Sequence, residues 1–140
     1  MRLLRRTVTG LLTGLLTGVV AGALAALAGA PPATAALAAF TLGIPLALLG
    51  AGYDLLLELG RVRPGGLAEV VAYWALAFPV ARTLQQVVLA WGSGQPAFGR
   101  QGAGAFLTFQ AAVGGVYGIG FLLLHVQVHA LLRPWLREEG

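Results

Sequence analysis

His125 and His129 stand four residues apart with Gln127 between them, so on a helix both imidazoles project from one face. Histidine exchanges a proton near neutral pH, and as a neutral ring it is a common metal ligand. Asp54 and Glu58 repeat the same spacing, and Glu69 follows at the start of the next apolar stretch. If these helix ends are level, carboxylates meet imidazoles in a polar cluster that can relay protons, bind a divalent ion or simply form salt bridges. The histidine pair lacks the glutamate of an H-E-x-x-H zinc helix, so metal-assisted hydrolysis has no support. Two histidines on one face of one helix are also poorly placed for haem. We therefore expect no metal and no cofactor.

A second polar group centres on Arg82, which lies inside an apolar stretch. Arginine at the centre of a membrane helix costs roughly 2.5–3.5 kcal/mol on insertion scales, so such residues usually face a bundle interior or a watery cavity. Gln85 and Gln86 fall within a turn of Arg82, and Gln110 of the last span should reach a similar depth. Together these four residues predict an intramembrane polar pocket for an anionic group. The alternative is that Arg82 snorkels outward while the glutamines cross-link helices.

Other chemistry is excluded more simply. There is no cysteine, so disulfides, thiolate metal sites and cysteine nucleophiles are ruled out. No Walker loop or dinucleotide fingerprint exists, and no nucleophile–base pair is visible, so we do not expect an enzyme. The stretch Gly114-Gly115-Val116-Tyr117-Gly118 lacks the threonine of a potassium filter and lies inside a continuous apolar run, whereas a filter must be an unwound loop.

The elements that must position these groups are membrane spans. Apolar residues make up 58% of the chain and charged residues only 10%, against about 25% charged in soluble domains. Mean hydropathy is +0.83. The 140 residues give room for one all-α transmembrane domain and no separate soluble one. Spans are expected at about 7–28, 35–57, 67–91 and 102–132, broken at Ala30-Pro31-Pro32, Gly60 to Gly66 and Gly92 to Gln101. Thr34 is the expected cap of the second helix, Pro45 and Pro79 fall inside spans, and Leu131 to Glu139 reads as a short amphipathic tail.

All nine basic residues are arginine. Most of them cluster at both termini and in the middle loop, and only Arg100 falls in the opposite loops. That asymmetry predicts both termini in the cytoplasm, and it explains the high isoelectric point without nucleic acid. The arginine-, alanine- and glycine-rich style suggests a bacterial inner membrane. A cleaved signal peptide ending near Ala33-Thr34-Ala35 is the rival reading of the N-terminus. The apolar run from Thr7 to Ala28 is longer than such a segment needs.

Glycine recurs at Gly10, Gly14, Gly18 and Gly22, with Thr9, Thr13 and Thr17 alongside. Four glycines spaced by four make a ridge without side chains, a surface on which another helix can approach closely in lipid. Gly114 and Gly118 repeat the spacing in the last span, and Ala35, Ala39, Gly43, Ala47 and Ala51 form a weaker stripe in the second. Small multidrug transporters and fluoride channels share this size, but their signature residues are missing, and the first span has no carboxylate. Two readings of function remain. One is an assembly or accessory subunit that uses the glycine-zipper face of the first helix to bind itself or a larger membrane partner. The other is a small oligomeric transporter or channel built on the Arg82 group, with Asp54, Glu69 and His125 gating protons.

Overall fold

A computed structural model describes residues 2–137 and is all-helical there. Helix α1 spans Arg2–Leu27, α2 Pro32–Glu58, α3 Leu67–Ser93 and α4 Gly102–Arg137, with one 3-10 turn at Gly99–Gln101 before α4. Each of the four helices is long and apolar enough to cross a membrane. An apolar chain can satisfy its backbone inside lipid only by such self-contained hydrogen bonding.

Helix boundaries follow local chemistry. Pro32 occupies the first turn of α2, with Pro31 as the N-cap and no side-chain cap. The expected cap at Thr34 is thus corrected: proline has no N–H to satisfy and its φ is already helical, so α2 starts earlier. Helix α3 closes on Gly94, whose φ of +66° suits a residue lacking Cβ. Both α2 and α3 continue through their internal prolines, Pro45 and Pro79. Helix α4 runs 36 residues and passes through Pro134, so the expected tail is largely its last turns. The part of that tail after Arg137 lies outside the described residues, as does Met1.

The helices run alternately up and down, each against its sequence neighbours, and α1 closes the ring on α4. The α1–α2 pair is the tightest, and its cause is the glycine ridge. A methyl placed on Gly10 would overlap the Gly50 carbonyl, one on Gly14 the Leu46 carbonyl, and one on Gly18 the Gly43 backbone. A methyl on Gly22 would press on Ala39. Thr13 and Thr17 turn their hydroxyls back to the carbonyls of Thr9 and Thr13, at 2.7 and 3.1 Å, which hides their polarity within α1. The ridge expected to meet a second copy or a partner is therefore covered by α2 of the same chain.

Gly114 and Gly118 do the same for α3 and α4, receiving the backbone of Trp74 and Val70. Around that crossing the interior is aromatic. Trp74, Tyr53 and Phe121 are fully buried, and Trp74 meets Tyr117 edge-on at 4.8 Å and Phe121 at 4.6 Å between ring centroids. Such pairs add about 0.5–1.5 kcal/mol beyond burial. This aromatic layer fills the bundle between Gly114 and the turn that holds Asp54.

Candidate functional site

One turn before α2 ends, Asp54 points into the bundle and is 5% exposed. Its position is made by α1. Because Gly10 has no side chain, the carboxylate approaches the α1 backbone, and the Gly10 N–H donates to Oδ2 at 2.6 Å. The other oxygen, Oδ1, lies 2.6 Å from Nε2 of His125 on α4. A carboxylate only accepts, so Nε2 carries the hydrogen and Nδ1 is left as the proton-accepting nitrogen. The ring is held between aromatic neighbours, edge-on to Tyr53 at 5.8 Å and tilted against Phe121 at 5.5 Å. Three helices thus fix one acid–imidazole pair.

That pair sits on a cavity of about 730 Å³ at the end of the bundle where α1 begins and α4 ends. Its polar lining is Arg5, Arg6, Thr9, Tyr53, Asp54, Glu58, His125, His129 and Arg133. Leu57, Leu122, Val126 and Leu136 supply apolar walls. At the rim, Arg6 pairs with Glu58 at 3.1 Å, and the Arg5 guanidinium lies 4.8 Å over the Trp135 ring. The first is an exposed pair of the kind worth at most about 1 kcal/mol.

Three buried polar atoms among the described residues have no hydrogen-bond partner: Tyr53 Oη, Trp74 Nε1 and Thr83 Oγ1. Tyr53 is the one of the three that lines this cavity. Its neighbour Tyr73 donates to the Leu49 carbonyl at 2.5 Å, and Tyr117 shares a hydrogen bond with Thr17 at 3.1 Å. An unanswered buried hydroxyl costs about 1–3 kcal/mol, so it is an unusual thing to find beside an open cavity.

The two expected polar groups fare differently. From the cluster of Asp54, Glu58, Glu69, His125 and His129, the first and fourth are in contact and Glu58 and His129 join them on the cavity lining. Glu69 does not. It is captured by Arg63 of the preceding loop, Nε to Oε1 at 2.6 Å, at the outer edge of α3. No group of three metal-ligating side chains is found among the described residues.

The Arg82 group forms a chain of bonds. Arg82 donates to Gln85, and Gln85 in turn donates to the Ala38 carbonyl on α2 at 3.3 Å. Gln110 is buried on α4, while Gln86 and Arg82 are half-buried. None of the four lines the cavity or the second one, an apolar groove of about 430 Å³ between α3 and α4 around Pro79 and Thr83. Through Gln85, the Arg82 pair cross-links α3 to α2.

In the sequence, Arg5, Arg6 and Arg133 belong to the arginine asymmetry that signals orientation, and nothing there joins them or Tyr53 to the Asp54 cluster. The signal that joins them is depth: all four fall within two turns of Asp54 or His129 once the helices are antiparallel. No family model matches the chain, and no curated protein or solved structure is significantly similar to it.

Proposed function

We propose that this chain is a small multi-pass membrane protein of the transport type, whose working site is the Asp54–His125 cavity. The observation that carries this reading is the buried acid–imidazole pair on the lining of a cavity large enough for a solute. An ionisable pair inside an apolar bundle is costly, and in membrane proteins such pairs mark proton relays and substrate paths. Asp54 fixes the tautomer and orientation of His125, and His125 Nδ1 takes and returns the proton. The aromatic layer of Trp74, Tyr117 and Phe121 packs farther into the bundle.

Arginine asymmetry supports a cytoplasmic opening with both termini on that side, and the proposed location is a bacterial inner membrane. The Arg82 group serves here as a helix cross-link and not as the path. Assembly with a copy or a larger partner, in this account, uses the outward apolar faces, because α2 already occupies the glycine ridge. The test is a solute panel applied to proteoliposomes on a solid-supported membrane. Currents that need His125 support the carrier reading.

A further inference from the structure

The chain holds two histidines, and both lie on α4, one turn apart, on the lining of the same cavity. Residues four apart on a helix are neighbours on one face. Their settings differ. The His125 side chain is 12% exposed and is tied to Asp54 through Nε2. His129 is exposed and makes no hydrogen bond or ion pair with any described residue.

The other ionisable groups on the lining leave His129 a distinct part. From α1 come Arg5 and Arg6, from α2 Tyr53, Asp54 and Glu58, and from α4 itself Arg133, while α3 brings no titratable side chain among the described residues. Guanidinium groups do not give up their protons, and a phenol holds its own at neutral pH. Asp54 is engaged by His125 and the Gly10 N–H, and Glu58 by Arg6. Among the described lining residues, His129 is thus the group left to take and give a proton near neutral pH.

Resting on the carrier reading of this cavity, we infer that His129 relays protons between solvent and His125. His129 takes a proton from a solvent acid and becomes imidazolium. One of its ring N–H groups passes that proton to a cavity water, which gives one of its own hydrogens to Nδ1 of His125. His129 is then neutral and His125 is the cation, its Nε2–H still on Asp54. The reverse sequence returns the proton. A water needs room and about two to four polar partners, and a cavity of about 730 Å³ with both imidazoles on its wall offers that setting.

Full-length protein with isotope-labelled histidine is placed in lipid nanodiscs. The rate at which His125 exchanges between neutral ring and imidazolium is read from nuclear magnetic resonance line shapes. With two histidines in the chain, each single variant assigns the other's signals. His129→Asn and His129→Gln keep the wild-type unfolding midpoint and slow that rate about a hundredfold, the low end of what a positioned acid–base group contributes. Added imidazole, a soluble acid–base of the same kind, restores the rate in both variants. Unchanged exchange in both variants overturns the inference, as does a slowed rate that imidazole does not restore. A His125 ring that never changes its protonation state overturns it too. Slowed exchange that imidazole rescues, without any solute-evoked current, refutes the carrier reading and leaves the relay standing. His125-dependent current with unchanged exchange in both variants does the reverse.

Discussion

Asp54 on α2 and His125 on α4 lie 2.6 Å apart, and the oxygen of Asp54 that does not face the histidine accepts the backbone N–H of Gly10 on α1. A single side chain thereby ties three helices at one depth. The carboxylate can sit there only because position 10 is glycine, so packing and candidate chemistry share one cause.

Asp54→Ala should therefore be strongly destabilising. It leaves the Gly10 N–H and the His125 ring buried without their acceptor, a class of change that costs about 3–5 kcal/mol. Asp54→Asn keeps one acceptor and the same shape and should lose much less. Thermal unfolding in detergent compares them; an Asp54→Ala midpoint equal to that of wild type would show that the carboxylate is not holding the helices.

The glycine ridge gives a second stability test. Gly14→Ala drives a methyl into the Leu46 carbonyl, and overpacking of this kind costs about 1–3 kcal/mol. Gly120 on α4 has nothing near its missing methyl, so Gly120→Ala should leave the midpoint unchanged or raise it. A neutral Gly14→Ala would mean that α1 and α2 are further apart than described.

Because the chain has no cysteine, single-cysteine variants report accessibility cleanly. Val126→Cys and Leu57→Cys line the cavity and should react with a membrane-impermeant maleimide from the arginine side. Leu48→Cys, although 66% exposed on the isolated bundle, should face lipid and stay unlabelled in vesicles. Labelling of Leu48→Cys alongside the others would contradict membrane embedding.

The four helices were legible because hydropathy and length alone dictate them. The glycine tetrad was equally legible as a close-approach surface, but its spacing carries no information on whether the approaching helix belongs to the same chain. Small residues at Gly43, Ala47 and Gly50 on α2 decide that, and only in one register. The meeting of Asp54 with His125 followed from counting depth along antiparallel helices. Counting failed for Glu69, because Arg63 lies in a turn whose path no periodicity describes. For the Arg82 group, two arrangements were open in the sequence, and the helix cross-link of the alternative is seen at Gln85, which accepts from Arg82 and donates to the Ala38 carbonyl.

In the proposed function the cavity pair, and not the Arg82 group, does the work. Solute-evoked current on a solid-supported membrane should be measured for wild type, His125→Asn and Arg82→Gln, each reconstituted at equal density. His125→Asn should abolish the current and Arg82→Gln should retain it. Current that survives His125→Asn but disappears in Arg82→Gln would contradict it.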